Sequence, residues 1–393
     1  MQSLTEFAEA KLAEMDAASL RRRLVDSDRG GDGGLWITRD GRRLLSFSCN
    51  DYLNLAHDPR VKAAAVAAVE RYGAGAAASR LVTGNHPLFD VLEGKLAALK
   101  GTEAACVFGS GYLANTGIIP TFVGPKDLIV VDELAHACIW AGAKLSGATL
   151  RIFRHNDVAH AAQVLETYRG RYARALLVTD GVFSMDGDLA PLPALADLCA
   201  QHDTWFMTDD AHGVGVLGGG RGSSFAFGDK PAIPLQMGTL SKAAGGYGGY
   251  LCGSQAVIDL VKTRARTFIY STGLPPAAVA GAIEALDIIA TDADLCARPL
   301  AKARRFTEQV GLPPATSPIV PVILGTAETT LAAQRLLAEE GLLVTAIRPP
   351  TVPDGTARLR ITFTARTPDA EIDRLAGLIR THVLPLKTIE TAP

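Results

Sequence analysis

The 393-residue sequence lacks an excess of charge of either sign. It has 39 Lys and Arg against 41 Asp and Glu, which gives a net charge of −2. A chain that binds nucleic acid or an anionic membrane through its charge has a basic patch or stripe, and the sequence indicates none. We therefore expect neither nucleic acid nor a membrane as a partner.

Long apolar runs and paired cysteines are also missing. No uninterrupted apolar stretch approaches the ~20 residues that cross a bilayer, and residues 1–11 lack the basic region and apolar run of a targeting signal. The six cysteines are scattered without a C-x-x-C pair, which argues against a zinc site or a disulfide framework. We expect a cytoplasmic protein with buried free thiols.

Short apolar runs alternate with helical stretches from residue 102 onward. Such strands, separated by helices, predict an α/β fold with a mainly parallel sheet and helices on both faces. The predicted strands are 104–108, 128–131, 150–153, 175–178, 205–208, 234–240 and 250–252. A smaller α+β region follows, with strands near 319–324, 342–346 and 359–363.

The first part of the chain predicts a helix and a hairpin. Residues 4–20 place apolar side chains at helical spacing, and residues 35–47 form a hairpin pattern around Asp40-Gly41. The predicted regions are an N-terminal helix and hairpin segment at 1–48, a large cofactor-binding domain at 49–280 and a C-terminal α+β domain at 281–393.

Polar residues follow several of the predicted strands, where ligands gather in sheets of this kind. The Gly-Ser-Gly-Tyr sequence at 109–112 precedes a helix, whose backbone N–H groups and dipole favour an anion such as phosphate; an ordinary loop is the alternative. Asp209, Asp210 and His212 follow another strand, and burying them is costly unless a partner uses them. His136 follows a third, although a lone histidine is more often structural than catalytic.

Two other interpretations of this region are weaker. Residues 213–218 fit the G-x-G-x-x-G pattern of a nicotinamide dehydrogenase, but charged residues separate them from the strand, and further glycines occupy the place of the helix. A metal site at Asp209 and His212 lacks further ligands, so no metal is predicted.

Lys242 stands in a run of hydroxyl-bearing, alanine and glycine residues from 239 to 250. No charged residue occurs within ten positions after it. Apolar surroundings lower the pKa of an amine and make it a nucleophile toward carbonyls. The alternative is a lysine that extends out of a glycine-rich loop into solvent.

One cofactor uses all of these groups. Pyridoxal phosphate needs a lysine for its aldehyde, a carboxylate that keeps the ring nitrogen protonated, an aromatic group stacked on the ring and N–H groups for the phosphate. The sequence therefore predicts a pyridoxal-phosphate site that includes Lys242 and Asp209.

Several motifs together resemble the α-oxoamine synthases, over about residues 20–380. They are Asn50-Asp51-Tyr52-Leu53, Gly73-x-Gly75 followed by Ser79-Arg80, Gly181-Val182-Phe183-Ser184-Met185-Asp186-Gly187-Asp188, Asp209-x-x-His212 and Thr239-x-Ser241-Lys242-Ala243. The resemblance implies a pyridoxal-phosphate-dependent transferase of fold type I, and a homodimer with active sites at the subunit interface. An inactive regulatory relative is disfavoured because Lys242, Asp209 and His212 are all present.

The resemblance also implies roles for individual residues. Lys242 would carry the cofactor, Asp209 would pair with the ring nitrogen, and His212 would bond the ring hydroxyl. The other implied cofactor contacts are His136 stacked on the ring, Ser184 beside it, Gly111, Tyr112 and Thr239 at the phosphate, and Ser271 and Thr272 from the other subunit.

Residues 346–360 and the Leu20-Arg21-Arg22-Arg23 sequence resemble the branch that condenses L-alanine with a pimeloyl thioester in biotin biosynthesis. In that branch Arg360 would bind the alanine carboxylate, which suits the bidentate guanidinium. Asn50, Arg21 and Arg348 would also contact substrate, the two arginines through the acyl group. Coenzyme A or acyl carrier protein could carry the acyl group, and branches that use glycine are the alternative. Asp180 departs from the family pattern, in which a glutamate precedes Gly-Val-Phe-Ser.

Overall fold

The chain begins with a helix and a hairpin. A computed structural model describes residues 2–17, 20–21 and 23–387. Helix α1 spans Leu4–Ala17, and the hairpin pairs β1 (Trp36–Arg39) with β2 (Arg42–Ser46). Asp40 and Gly41 both have positive φ, 48° and 74°, as a two-residue type I′ turn requires. The predicted helix and hairpin are confirmed.

The apolar side chains of α1 stay largely exposed in the described chain. No residue of α1 is buried, and its apolar side chains are 38–83% exposed at Leu4, Phe7, Leu12 and Met15. Helical spacing alone therefore located the helix but not a packing partner within the same chain.

A seven-stranded sheet forms the centre of the molecule, and helices α2 (Pro59–Tyr72) and α3 (Leu88–Lys100) precede it. Its strands are β3 (Ala104–Phe108), β4 (Leu128–Asp132), β5 (Thr149–Phe153), β6 (Ala175–Asp180), β7 (Trp205–Asp209), β8 (Leu235–Thr239) and β9 (Gly249–Gly253). Their order across the sheet is β3-β9-β8-β7-β6-β4-β5. Only β9 is antiparallel to its neighbours, so six strands share one direction. The predicted α/β fold with a mainly parallel sheet is confirmed.

Helices cover both faces of this sheet. They are α4 (Gly111–Phe122), α5 (Ala137–Ser146), α6 (Val158–Tyr168), α7 (Leu192–Gln201), α8 (Gln255–Arg264), α9 (Arg266–Ile269) and α10 (Pro276–Thr291). Alternate residues of a strand point to opposite faces. In β4, Ile129 and Val131 accordingly share a core with residues of α4 and α5, whereas Leu128 and Val130 share one with residues of α6 and α7.

The smaller C-terminal sheet is joined to the N-terminal hairpin. After α11 (Ala293–Val310) come β10 (Ile319–Gly325), α12 (Ala327–Glu339), β11 (Leu342–Leu343), β12 (Thr345–Ile347), β13 (Ala357–Thr362) and α13 (Asp369–Leu378). The single strand predicted at 342–346 is wrong in one respect, because β11 pairs with β2 whereas β12 pairs with β13. The buried side chain of Val344 lies where the chain passes between the two sheets. The domain boundaries at residues 48 and 280 stay predictions.

No helix in the described ranges combines the length and apolar character that crossing a bilayer requires.

A buried ion pair connects α3 to the loop after β7. Lys100 Nζ lies 2.7 Å from Asp210 Oδ2, with the two side chains 0% and 2% exposed. Lys100 also donates to the carbonyl oxygen of Arg221, and Asp210 accepts from the backbone N–H of Ser223. Asp210 is thus satisfied within the fold and takes no part in the cavity described below.

Lys100→Met should strongly destabilise the protein, because it leaves the Asp210 carboxylate buried without a cation. We expect the free energy of unfolding to fall by about 3–5 kcal/mol in urea titrations at fixed protein concentration. Lys95→Met on the same helix is the control, because Lys95 pairs with Asp287 at side-chain exposures of 34% and 49%. That change should cost about 1 kcal/mol or less. Equal losses in the two variants would contradict this interpretation.

Candidate active site

A cavity of about 210 Å³ lies beyond the carboxyl ends of β3, β7 and β8. It is lined by Ser110, Gly111, Tyr112, His136, Cys138, Asp180, Asp209, Ala211, His212, Met237, Thr239, Ser241 and Lys242. These residues come from five separate stretches of sequence, which meet because parallel strands end at the same edge of the sheet. The cavity brings together seven predicted site residues, namely Gly111, Tyr112, His136, Asp209, His212, Thr239 and Lys242.

Lys242 follows β8 in a tight turn. Its carbonyl oxygen accepts from the N–H of Gly245, whose φ of 65° suits glycine, and a Cβ there would meet the backbone N of Ala56 at 2.2 Å. Burial lowers the pKa of the Lys242 amine, and the Asp209 and Asp180 carboxylates offset part of that effect. A larger fraction of neutral amine is therefore available for reaction with a carbonyl.

Asp209, at the end of β7, is held rigidly by hydrogen bonds. Its Oδ2 accepts from Nδ2 of Asn115 at 2.8 Å, and its Oδ1 accepts from the N–H of Ala211 at 3.0 Å. The side chain of Asn115 is buried in α4, and sequence reasoning missed it. The available signal was an amide among the apolar residues of a helix that begins at the predicted anion site.

Asp180 ends β6 next to Asp209 and fixes the position of His136. Its Oδ2 accepts from the backbone N–H of His136 at 2.8 Å. Burial and the nearby Asp209 carboxylate raise the pKa of Asp180 well above its usual value. The Asp180 carboxyl group therefore holds a proton more readily than an exposed aspartate does.

His136 begins α5, and its ring nitrogens have different environments. The backbone N–H of Cys138 donates to Nδ1 at 3.3 Å, and Nδ1 also lies 2.7 Å from Sγ of Cys138. Burial lowers the pKa of His136, and the Asp209 carboxylate acts in the opposite direction. A neutral imidazole is consequently present at neutral pH.

His212 is also neutral. Its Nδ1 shares a hydrogen bond of 2.7 Å with the hydroxyl of Tyr52. Burial and the positive charges of Lys242 and Arg360 lower the pKa of His212 well below its usual value. Burial raises the pKa of Tyr52 to about 12, so the phenol keeps its proton. Tyr52 belongs to a motif quoted above, but its contact with His212 was not predicted.

The amino end of α4 forms one wall of the cavity. Ser110 caps the helix, because its Oγ accepts from the N–H of Leu113 at 3.1 Å. The first N–H groups of a helix have no acceptor within it, and they carry the positive end of the helix dipole. A Cβ on Gly111 would lie 3.2 Å from Cε of Met237, so glycine keeps this wall open.

Arg360 and Asn50 lie beside the cavity. The Arg360 side chain is buried on β13, and both of its terminal nitrogens donate to Asn50 Oδ1 at 3.2 Å. Its Nε donates to the carbonyl oxygen of Ser184. Ser184 itself lines an adjacent cavity of about 300 Å³ and not the one that contains Lys242.

The remaining predicted residues lie elsewhere. Arg21 and Arg348 line a groove of about 680 Å³, which shares Pro350 and Thr351 with the cavity beside Ser184. Ser271 and Thr272 line a separate pocket that also includes Arg80. Arg22, in the predicted Leu20–Arg23 motif, lies outside the described residues.

The loop at 181–188 is fixed from both sides. Asp186 pairs with Arg358 of β13, and Asp188 Oδ2 lies 2.8 Å from Nε2 of His155. The other ring nitrogen of His155 lies 3.1 Å from Asp132 at the end of β4. Burial alone would lower the pKa of His155, but its hydrogen bonds to the two carboxylates outweigh that effect and raise the pKa to about 10. An imidazolium therefore links the loop to the sheet.

The fold and the cavity define an enzyme that binds a phosphorylated aldehyde cofactor. A family model described as "Aminotransferase class I and II" matches residues 42–379. The chain belongs to this family of pyridoxal-phosphate-dependent transferases and, within it, to the α-oxoamine synthases. The predicted cofactor, pyridoxal phosphate, and the predicted fold type I are confirmed.

Two curated relatives carry the same name. The 8-amino-7-oxononanoate synthase of Beijerinckia indica subsp. indica is 64% identical over 379 residues, which is 96% of this chain and 98% of the relative. The protein of that name from Methylocella silvestris is 67% identical over 344 residues, 88% of this chain and 98% of the relative.

Solved structures show the same architecture. Serine palmitoyltransferase from S. paucimobilis, with a bound PLP–myriocin adduct, superposes with a TM-score of 0.90 at 28% identity and covers 98% of this chain and 99% of that one. The 8-amino-7-oxononanoate synthase of Francisella tularensis gives a TM-score of 0.74 at 28% identity, covering 87% and 98%.

The residues around the cavity fit pyridoxal phosphate. The helix end at Gly111 suits a phosphate, the oriented Asp209 carboxylate suits a protonated ring nitrogen, and the Lys242 amine suits the aldehyde. We propose that these groups hold the cofactor together with His136, His212, Tyr112 and Thr239.

The stability that His155 contributes should depend on pH. Its folded pKa of about 10 lies above the usual 6.5, so the contribution is complete below about pH 6.5 and is lost as the pH rises through about 10. We expect the difference in unfolding free energy between wild type and His155→Gln to shrink steadily in urea titrations at about pH 6, 8 and 10. Asp188→Asn, which removes one of the two carboxylates, should give a smaller pH trend of the same sign. A difference independent of pH would contradict the imidazolium assignment.

Proposed function

We propose that the protein condenses L-alanine with a pimeloyl thioester, with loss of carbon dioxide, to make 8-amino-7-oxononanoate for biotin biosynthesis. The relatives with that name and 64–67% identity support the proposal. The structural observation that carries it is the buried Arg360, which is close enough to Lys242 and His212 to lower the pKa of both. A guanidinium beside the reactive amine is suited to the carboxylate of an amino acid.

The cofactor, when bound, supplies an aldehyde that joins amines and a protonated ring that accepts an electron pair. Asp209 keeps the ring nitrogen protonated, and Asn115 keeps Asp209 in place. Arg360 orients the alanine carboxylate, with Asn50 and the Ser184 carbonyl fixing the guanidinium. These contacts determine which bond at the alanine Cα can break.

Lys242 acts as the base in this proposal. Its amine, with a lowered pKa, takes the Cα proton of alanine. The alanine Cα then forms a bond to the acyl carbon, the carbon–sulfur bond breaks, and the sulfur leaves as a thiolate that takes its proton from solvent. The carboxyl group held by Arg360 departs as carbon dioxide, and Lys242 returns the proton to Cα. His136 can donate a hydrogen bond from its ring to the developing ketone oxygen.

The groove that contains Arg21 and Arg348 is the proposed acyl site. It adjoins the cavity lined by Ser184, whose carbonyl oxygen accepts a hydrogen bond from Nε of Arg360. Apolar side chains of Leu12 and Met15 line the same groove and suit a methylene chain. The guanidinium groups of Arg21, which also pairs with Asp16 at 2.6 Å, and of Arg348 suit the distal carboxylate of a pimeloyl group. The acyl carrier is coenzyme A or acyl carrier protein.

We further propose a homodimer in which Ser271 and Thr272 complete the site of the partner subunit. Within one chain these residues do not line the cavity around Lys242. The resemblance to the α-oxoamine synthases implies that a second copy receives their hydroxyl groups. The exposed apolar face of α1 is consistent with further burial between subunits.

A substrate panel tests the proposed reaction. Holoenzyme is assayed with L-alanine, glycine or L-serine against pimeloyl, acetyl, succinyl and palmitoyl thioesters, with pimeloyl supplied on coenzyme A and on acyl carrier protein. We expect the pair of alanine and a pimeloyl thioester to exceed every other pair in kcat/KM by about 100-fold. A wrong substrate leaves polar groups of the site without a partner or does not fit its shape. The product is identified by mass spectrometry.

Lys242→Ala is the control for background reaction and should show no turnover above the uncatalysed rate. A preference for glycine with a short acyl thioester, or for serine with the palmitoyl thioester, would contradict the proposed function.

A further inference from the structure

The glycine-rich loop at 73–84 determines the position of the Ser271–Thr272 segment. Ser79 and Thr272 form an isolated antiparallel bridge, and the N–H of Gly273 donates to the carbonyl oxygen of Ala78 at 3.0 Å. The packing is close, because a Cβ on Gly273 would lie 2.9 Å from the carbonyl oxygen of Gly84. A shift of the loop would therefore move the segment.

Arg80 fixes that loop from inside the fold. Its side chain is 8% exposed and forms an ion pair with Glu93 of α3. Its Nε donates to Asn85 Oδ1 at 2.8 Å, and its guanidinium lies 3.9 Å from the ring centroid of Phe89 and 5.3 Å from that of Phe268. Phe268 lies three residues before Ser271, so Arg80 contacts both sides of the bridge.

Glu93 connects this arrangement to the cofactor cavity of the same chain. Its Oε1 accepts from the backbone N–H of Val107 in β3 at 2.9 Å, and its Oε2 pairs with Lys262 of α8 at 2.9 Å. Strand β3 leads directly into Ser110 and Gly111. The Arg80–Glu93 pair thus sets the Ser271–Thr272 segment at a fixed place relative to the sheet.

The segment faces outward. Thr272 is exposed, Ser271 is half-buried, and neither hydroxyl bonds to another residue in the described part of the chain. The adjoining surface is apolar, since Leu81, Val82 and Tyr270 are 58%, 74% and 73% exposed. Exposed apolar side chains clustered around unpaired hydroxyls fit a surface that a second copy covers.

We infer that Arg80 is a positioning residue that acts in trans: through its pair with Glu93 it holds Ser271 and Thr272 where they contact the cofactor phosphate of the partner subunit. This inference rests on the proposed dimer. It assigns a role to the Gly73–Arg80 motif, which lines no part of the Lys242 cavity. Weakening Arg80 should reduce cofactor affinity at the site of the other subunit and leave its own subunit's site intact.

Heterodimers with differently tagged chains distinguish an effect of Arg80 on the partner's site from an effect on its own site. Each dimer carries one Lys242→Ala and one Arg80→Met, either on the same chain or on different chains. Only one site then retains Lys242, and the cofactor Kd there is read from the visible absorbance of its bond to that lysine. The two dimers have identical composition, so a general loss of stability affects both equally.

When both substitutions are on one chain, the site that keeps Lys242 lies in the other chain. Its Ser271–Thr272 segment then comes from the chain that lacks Arg80. We expect the cofactor Kd to rise about tenfold relative to a dimer with Lys242→Ala alone, as the loss of one hydrogen bond to a charged group predicts. With the substitutions on different chains, the Kd should stay within about twofold. The inference would be overturned if the Kd rose more with the substitutions on different chains, rose equally in both arrangements, or rose in neither.

Two further substitutions complete the design. Arg80→Lys, which keeps the charge opposite Glu93 but loses the Nε hydrogen bond to Asn85, should show the same asymmetry at about threefold and serves if Arg80→Met does not assemble. Lys262→Met removes the other cation of Glu93 without touching the loop, and should show no asymmetry.

Thr272→Ala in place of Arg80→Met tests the underlying dimer separately. A higher Kd only in the same-chain arrangement supports the crossing of Thr272 into the partner site. If Thr272→Ala shows that asymmetry and Arg80→Met does not, the inference about Arg80 is wrong and the proposed dimer stands. If Thr272→Ala has no effect or acts within its own chain, the proposed dimer fails, and with it the inference.

Discussion

The site depends on an amine and two carboxyl groups enclosed in one cavity. Burial favours the neutral forms of the Lys242 amine and of the Asp180 carboxyl group, and the charges of the two carboxylates act against that effect for Lys242. The protein distinguishes the two carboxyl groups by their hydrogen bonds. Asp209 receives a side-chain amide and a backbone N–H, whereas Asp180 receives one backbone N–H and lies beside the charge of Asp209. One carboxylate is thereby kept available for a cationic partner opposite the lysine.

The three histidines carry different charges because their surroundings differ. His136 and His212 both lie near Lys242, and the pKa of each is lowered, which leaves neutral rings against the cofactor site. His155 is also partly buried, but two carboxylates hold it and its pKa is raised to about 10. The neutral rings are suited to stacking and hydrogen bonding, and the charged one holds the 181–188 loop in place. Arg360 depends on that loop through the Ser184 carbonyl.

Much of the fold could be predicted from local patterns. The seven strands of the large sheet follow from apolar runs, and because ligands gather where such strands end, Asp209, His212 and Lys242 could be chosen before their proximity was known. The contacts that orient them could not be predicted. Asn115 reaches Asp209 over 94 positions, and Lys100 reaches Asp210 over 110. No local pattern carries such pairings, because they depend on how helices pack on the sheet. The division of residues 342–347 between two sheets has the same cause.

The central claim is that Asp209 keeps the ring nitrogen of the bound cofactor protonated opposite Lys242. Nitrogen-15 NMR of holoenzyme loaded with cofactor labelled at the ring nitrogen measures that proton directly. The account predicts the shift of a protonated nitrogen in the wild type at neutral pH, and that of a neutral nitrogen in Asp209→Asn. A neutral ring nitrogen in the wild-type enzyme would contradict it.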